Sequence, residues 1–193
     1  MKVKMLNESS DRIDLEVHGV PVSFINTLRR YSMMRVPTYA IDSVIVYENT
    51  TAMIDEFIAH RLGMIPIKTP NRVSPDETAV LTLDVQGPRK VYSRDLQPDK
   101  TGVEVANKDI LLFTLENDQS LRVECTVRVG TGAKHAKFQS GLSSYEQLDD
   151  TSFKFFVESF GQRGVKDLLK LALKQMETDC KDLVKTVKKI YEK

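Results

Sequence analysis

The sequence predicts an α+β fold in which a mostly β subdomain is placed inside a host unit of sheet and helix. Segments with alternating apolar and polar residues lie near both ends of the chain, at residues 12–17 and 152–159, as expected for strands of one sheet. From residue 66 to about 151, Pro, Gly, Asn and Asp recur between short β-like segments. A long helical pattern follows, from residue 165 to about 191. We therefore expect the two ends of the chain to form the host unit.

A β-hairpin and a short helix begin the chain. Residues 3–6 and 12–17 are predicted strands, and the polar stretch 7–11 between them favours a turn. The helix begins near Pro21, because proline fits the first turn of a helix. It ends at Val36, since the residue before a proline avoids the α region.

The first helix carries two different faces. At about 100° per residue, an apolar arc and a polar stripe lie on opposite sides. The arc consists of Phe24, Ile25, Leu28 and Tyr31, and the stripe of Asn26, Arg29, Arg30 and Met33. The stripe is either a solvated face, which charge pattern alone favours, or the face by which the helix docks onto a partner.

The middle of the chain contains a further strand and a second short helix. Residues 40–47 alternate and are rich in β-branched side chains, which is typical of a strand. Residues 54–62 form a predicted helix, for which Gly63 is the expected C-cap. Its apolar face comprises Ile54, Phe57, Ile58 and Leu62, while Asp55, Glu56 and His60 lie on the other side and Arg61 flanks the apolar face. More strands are predicted over residues 79–85, 110–115 and 121–129.

The C-terminal helix presents a heptad seam, because its apolar residues follow one another in steps of four and three. They are Leu169, Leu173, Met176, Cys180, Leu183, Val187 and Ile190. Burying one Leu or Val side chain stabilises a protein by ~1.5–3 kcal/mol, so the seam needs a cover. Residues up to Met176 pack either on the chain's own sheet or on a partner. The later residues lie far along a helix of about 40 Å, at ~1.5 Å per residue, and we predict a partner helix or a dimer there.

The composition excludes several classes of protein. With 28 basic and 27 acidic side chains the net charge is +1, which provides no overall attraction to nucleic acid or anionic membranes. No run of 18 apolar residues occurs, and the first residues lack the apolar region of a signal peptide. Cys125 and Cys180 are too few for a disulfide framework or a self-contained zinc or iron–sulfur site, and we expect both to be core thiols. The expectation is a cytoplasmic protein without a metal and without direct nucleic-acid contacts.

No enzyme class is supported by the motifs. Glu56 and His60 stand four residues apart on a helix, but no third metal ligand and no HExxH motif accompany them. The loop over residues 130–137 contains glycines and basic residues, yet it lacks the phosphate-loop pattern GxxxxGK[ST]. Its basic residues are Lys134, His135 and Lys137. They suit an exposed contact loop better than a nucleotide site.

One long stretch of the sequence resembles a known family. Residues 24–67, FINTLRRYSMMRVPTYAIDSVIVYENTTAMIDEFIAHRLGMIPI, are similar to the signature of the archaeal D-type subunits of RNA polymerase. Eukaryotic third-subunit homologues and, more distantly, the bacterial α N-terminal domain share it. Two more stretches agree, GTGAKHAKF at residues 130–138 and FFVESFG at residues 155–161. The similarity covers nearly the whole chain in order, and its DEFIAHRLGMIPI string is highly specific.

The resemblance implies a domain organisation and a function. A dimerisation domain would comprise about residues 1–49 and 152–193, with a β-rich domain at residues 50–151 inserted. The chain would be a non-catalytic assembly platform of DNA-dependent RNA polymerase with no active-site residues of its own. In the family, the D-type chain pairs with the smaller subunit L, and the pair recruits small subunits N and P and docks the large catalytic subunits.

The resemblance also implies roles for individual residues. Arg30 matches the second arginine of the family's LRR element, which faces a large catalytic subunit. The interface with large or small subunits would comprise Asn26, Arg29, Arg30, Asp55, Glu56, His60, Arg61, Lys134, His135 and Lys137. The dimer interface would comprise Phe24, Leu28, Leu169, Leu173, Met176, Cys180, Leu183, Val187 and Ile190.

The chain departs from the family's pattern in two places. Many D-type subunits carry a ferredoxin-like domain with iron–sulfur clusters, and eukaryotic relatives carry a zinc-binding cysteine group. Here residues 139–150 lead back to the host sheet without a cysteine, so neither cofactor is expected. Gly164 stands near the start of the last helix, where relatives often have proline. The alternative function is a homodimeric coiled-coil adaptor with a β ligand-binding insert.

Overall fold

The computed structural model describes residues 1–99 and 102–191, which form two compact units. One unit combines Met1–Val36 with Gln139–Lys193, and the other is Pro37–Phe138. In chain order the elements are β1 (Lys2–Glu8), β2 (Arg12–His18), α1 (Val22–Met34), β3 (Thr38–Asn49), α2 (Asp55–Gly63), β4 (Thr78–Gln86), β5 (Arg89–Tyr92), β6 (Gln97–Pro98), β7 (Leu111–Leu115), β8 (Ser120–Gly130), β9 (Gly141–Asp149), β10 (Ser152–Ser159) and α3 (Val165–Tyr191). Short 3₁₀ turns occur at Ser93–Asp95 and Ala136–Phe138. The predicted α+β class is confirmed.

The first unit is built on an antiparallel sheet with the strand order β1-β2-β10-β9. Along β2, every second residue is buried, because the strand turns one face to the core and the other to solvent. The buried face packs against α1 and α3, whose contributions to the same core include Ile25, Leu28 and Leu168. The helices therefore cover one face of this sheet.

Strand β10 joins the two ends of the chain. It pairs with β2 from Ser152 opposite His18 to Glu158 opposite Arg12. Its buried residues Phe153, Phe155 and Val157 add to the same core. The predicted return of the chain to the first sheet at residues 152–159 is thus confirmed, and this pairing is the reason that the unit is discontinuous in sequence.

The second unit has its own core between a four-stranded sheet, in the order β3-β8-β4-β6, a small β5-β7 sheet and α2. Buried residues alternate along β4 and β8, as the sequence pattern predicts. Ile58 and Leu62 of α2 are completely buried in this core. The helix is therefore held to the sheet by one side only.

The boundaries between the units differ from the expected ones at residues 49–50 and 151–152. Strand β3 belongs to the second unit, because it pairs with β8 from Thr38 to Asn49. Strand β9, for which no strand was predicted, belongs to the first unit as the edge partner of β10. Its fully buried residues are the small Gly141 and Ser143, with only the half-buried Tyr145 beside them, so the sequence shows little apolar alternation there. A Cβ atom on Gly141 would lie 2.2 Å from the carbonyl oxygen of Glu158, which explains the glycine at this close approach.

The prediction for α2 is wrong in two respects. Ile54 and Phe57, expected on the buried face, are exposed. Gly63 is the last helical residue, and the cap is Met64 in a right-handed conformation. By contrast, the predicted start and end of α3 are confirmed.

Two kinds of feature are absent from residues 1–99 and 102–191. No helix there has the length and apolar character needed to cross a membrane. No group of three or more His, Cys, Asp or Glu side chains comes together in a way that could hold a metal ion.

Candidate protein-interaction surfaces

Helix α3 packs on its own unit only along its first half. Val165, Leu168 and Ala172 are buried in the core of the first unit. Further along the helix, Asp179 makes a contact with α1. Its Oδ2 accepts a hydrogen bond from the hydroxyl of Tyr31 at 2.8 Å and another from Nη2 of Arg35 at 2.7 Å. Every residue from 180 to 191 is exposed. At ~1.5 Å per residue, this free segment is roughly 18 Å long.

The predicted seam runs along this helix and leaves most of its apolar surface in solvent. We call the residues Leu173, Cys180, Leu183, Val187 and Ile190 the α3 stripe; all of them are exposed. Leu183 and Ile190 have 63% and 66% of their surfaces accessible. The other two seam residues, Leu169 and Met176, are half-buried and pack against the core of the first unit. The expectation that Cys180 is a core thiol is therefore wrong for the chain alone, because its side chain is exposed.

Strand β1 extends the core face of the sheet beyond the helices. Val3 lies opposite Val17 and Met5 opposite Leu15, so both side chains are on the face that β2 turns to the core. They are nevertheless 55% and 50% exposed. The sheet therefore has a second uncovered apolar area at its edge.

The residues of the polar stripe predicted on α1 differ in whether their side chains are free to contact a partner. Asn26 Oδ1 accepts hydrogen bonds from both Nε and Nη2 of Arg29 at 3.1 Å, which holds the half-buried guanidinium against the helix. Arg30 is exposed and forms no hydrogen bond or ion pair with the described residues. Among the predicted dimer contacts of α1, Leu28 is buried in its own core and Phe24 is half-buried. Arg30 is thus the side chain of this stripe that is available to a partner.

The structure brings α2 and the loop at residues 130–137, called the basic loop below, together at one cleft of the second unit. The cleft has a volume of about 200 Å³ and is lined by Ile41, Asp42, Ser43, Val44, Ala59, His60, Gly63, Met64, His135 and Lys137. His60 and His135, which are 75 residues apart in the sequence, both line it. The cleft unites two groups of predicted interface residues.

The lysines of the basic loop have an internal role that the sequence did not indicate. Lys137 Nζ lies 2.8 Å from Oδ1 of Asp42 and donates to the Asp42 carbonyl oxygen at 3.1 Å. Lys134 Nζ is 3.9 Å from the same carboxylate, and both ammonium groups stand over the ring of Phe138. The hydrogen bond from Lys137 is the main reason that the pKa of Asp42 is lowered. Lys137 is therefore an anchor of the loop, whereas Lys134 and His135 are exposed.

An apolar groove lies beside this cleft, on the other side of His60 and Met64. Its volume is about 310 Å³, and it is lined by Phe57, His60, Arg61, Met64, Ile65, Ile110 and Leu112. Arg61 donates from Nη2 to the carbonyl oxygen of Leu111 at 2.8 Å, while its Nε is buried without an acceptor among the described residues. Of the two predicted acidic residues, Asp55 accepts a hydrogen bond from Asn49 at 2.8 Å, and Glu56 is exposed. Sequence reasoning missed this groove, because no local pattern distinguishes its exposed apolar residues from buried ones.

The comparisons with known proteins identify the family. Residues 40–149 match the family model of the RNA polymerase Rpb3/RpoA insert domain. The chain is 39% identical to the DNA-directed RNA polymerase subunit Rpo3 of Methanocaldococcus jannaschii over 170 residues, which are 88% of this chain and 87% of the relative. The chain belongs to the Rpo3 family of DNA-directed RNA polymerase subunits.

A second Rpo3 relative extends the similarity to almost the whole chain. The protein of Pyrococcus horikoshii is 37% identical over 202 aligned positions, covering 99% of this chain and 76% of the relative. The match includes α1, both parts of the first unit and the long α3, so membership does not rest on the insert alone. The resemblance to the archaeal D-type family is confirmed. The surfaces described above are those of an Rpo3-family chain.

Proposed function

We propose that this chain is a non-catalytic assembly-platform subunit of DNA-dependent RNA polymerase, acting in the cytoplasm. In this role it pairs with subunit L and docks small subunits N and P and the large catalytic subunits. One observation carries the proposal: α3 projects an apolar stripe that no described part of its own unit covers. Because the chain belongs to the Rpo3 family, we expect another polymerase subunit to pack on this stripe.

The energetics support pairing along α3. Covering a Leu, Val or Ile side chain stabilises by ~1.5–3 kcal/mol, and the exposed second half of the stripe offers Leu183, Val187 and Ile190. Exposed apolar surface of this extent on a helix is typical of an interaction site. The anchor at Asp179 holds the helix so that these residues point away from the core.

The platform role requires further faces, and each unit provides one. In the first unit, Arg30 is charged, exposed and without a partner among the described residues, which suits docking to a large subunit. In the second unit, the cleft at His60 and His135 and the adjoining apolar groove combine polar and apolar contacts, as docking sites for small subunits do. These assignments follow the residues that the family resemblance singled out.

We further propose that the chain works without zinc or an iron–sulfur cluster and has no active site of its own. A metal-bound cysteine must be a thiolate, and burial raises the pKa of the Cys125 thiol to about 12. Cys180 lies on the free half of α3, on a different unit from Cys125. Neither cysteine has the surroundings that a cluster needs.

The pairing is tested by producing the chain alone and together with subunit L from the same source, and measuring molar mass in solution by light scattering. We expect a one-to-one complex of the two chains. The double variant Leu183→Asp plus Val187→Asp should abolish it, because a buried carboxylate without a partner is costly. The matched control is Thr178→Asp plus Lys189→Asp, which places two carboxylates on the opposite side of the same helix and should leave pairing intact. A stable homodimer that ignores L would contradict the proposal and favour the adaptor function.

Docking is tested separately with Arg30→Ala. This variant should still pair with L, yet bind a large catalytic subunit more weakly, since Arg30 faces away from the core of its unit. Binding is measured by pull-down of the large subunit on the purified pair. If the substitution instead caused the chain and subunit L to dissociate, the assignment of two different faces to α1 would be wrong.

A further inference from the structure

The α3 stripe has two unlike edges. One edge adjoins the residues with which the helix packs on its own unit, among them Leu168, Ala172 and Asp179. At about 100° per residue, the other edge carries Lys170, Lys181 and Lys188, spaced along the length of the helix, with one carboxylate, Glu177, among them. The solvent-side edge of the apolar stripe is therefore basic.

Two of these three lysines have no counter-ion of their own among the described residues. Lys181 pairs with Glu177 at 2.5 Å within the helix. Neither Lys170 nor Lys188 forms an ion pair with a residue that the structure describes. Both ammonium groups are thus open to carboxylates that arrive with a partner.

A second copy of α3 would be a poor source of such carboxylates. Beyond the first turn of α3, Glu177 is bonded to Lys181, Asp179 to Arg35 and Tyr31, and Asp182 to Lys185 at 3.0 Å. The remaining described carboxylate of the helix, Asp167, lies in the first turn, where α3 packs on its own unit. The free segment 180–191 contains four lysines and a single aspartate, so two copies would bring like charges together.

We propose that the subunit that covers the α3 stripe carries carboxylates beside its own apolar face, and that these carboxylates pair with Lys170 and Lys188. This inference rests on the proposed function, because it specifies the chemistry of the subunit that covers the stripe. Apolar contacts in the middle of the interface supply affinity, and the charged edge orients the partner and excludes a second copy. Opposite charges at the rim of an interface also raise the association rate, and added salt reduces this effect by screening the charges.

The test compares two double charge reversals on the same helix. The first is Lys170→Glu plus Lys188→Glu, at the edge of the stripe. The matched control is Lys174→Glu plus Lys189→Glu, two positions that lie further round the helix from the stripe than Lys170 and Lys188, and it changes the net charge equally. Affinity for purified subunit L is measured by calorimetry at low and high salt, and helix content by circular dichroism for all chains.

We expect the edge variant to lose about tenfold or more in affinity at low salt, since it replaces two attractive rim pairs by repulsive ones. The control should change affinity less than about twofold, and high salt should weaken the native pair while reducing the difference between the variants. All chains should keep their helix content, because the substituted lysines are exposed.

The inference about carboxylates on the partner would be wrong if the two variants bound L with equal affinity. It would also be wrong if salt did not change the affinity of the native chain for L. Either result would leave pairing with L in place. A native chain that does not bind L would instead overturn the proposed function itself. A native chain that forms a homodimer would overturn both.

Discussion

Among single residues, Asp179 determines where α3 stops packing on its own unit. Its carboxylate receives hydrogen bonds from Arg35, Tyr31 and Gln175, the last at 2.8 Å. These bonds stabilise the ionised form, with Arg35 contributing most, and lower the pKa of Asp179 from its usual 3.8 to about 2. The same contact raises the pKa values of Tyr31 and Arg35.

The depressed pKa predicts a pH dependence. A carboxyl whose pKa is lower in the folded state stabilises that state fully above its unfolded pKa, near 4, and loses this contribution as the pH falls through about 2. Asp179→Asn should therefore lower the Tm at neutral pH by a few degrees and reduce the loss of Tm between pH 4 and 2. Thermal unfolding followed by circular dichroism over this range measures both effects.

The control for this prediction is Asp182→Asn. Asp182 is exposed and pairs only with Lys185 on the same helix, as far as the described residues show, so its substitution should leave Tm and its pH dependence nearly unchanged. If Asp179→Asn behaved like the control, the contact would not contribute to the docking of α3 on α1.

The elements of the first unit show how one helix serves two purposes. The sequence of α3 contains two adjacent apolar rows, one that includes Leu168 and Ala172 and one that is the stripe. Only the sheet and α1 decide which row is buried. The unit needs the first row for stability, and the second is left for recognition.

This division predicts different costs for two Leu→Ala substitutions. Leu168→Ala should reduce the free energy of unfolding of the chain by about 2–5 kcal/mol, because it leaves a cavity in the core. Leu183→Ala should change it by less than about 0.5 kcal/mol, since the side chain is exposed in its unit. Urea unfolding of the chain alone measures both values. A large effect of Leu183→Ala without a partner present would show that the free half of α3 is covered after all.

At the scale of the whole molecule, the two units have separate hydrophobic cores. The segment Pro37–Phe138 is continuous and contains all the described strands of its sheets, so none of these strands depends on the first unit for a pairing partner. The first unit, by contrast, needs both ends of the chain for one sheet.

We therefore expect residues 37–138 to fold when produced alone. They should unfold cooperatively in urea, and Leu81→Ala, which removes a fully buried side chain, should lower the midpoint. A gradual transition, or a midpoint that Leu81→Ala does not change, would mean that the core forms only within the whole chain.

The sequence by itself determined the features that depend on local periodicity. The hairpin, the bounds of α3 and the heptad seam follow from the spacing of apolar residues, which a regular element repeats every two or 3.6 residues. The resemblance to a family, carried by a contiguous string, was likewise readable from the chain alone and is confirmed.

Only the tertiary structure decided which of these residues are free. Arg29 is held by Asn26 while Arg30 is not, Lys137 is tied to Asp42, and Phe57 is exposed although it belongs to an apolar helix face. The reason is that burial depends on neighbours distant in the chain, such as β10 lying beside β2, and no local pattern contains that information. The sequence therefore predicted an apolar seam on α3, and the fold determined that its second half is the part left for a partner.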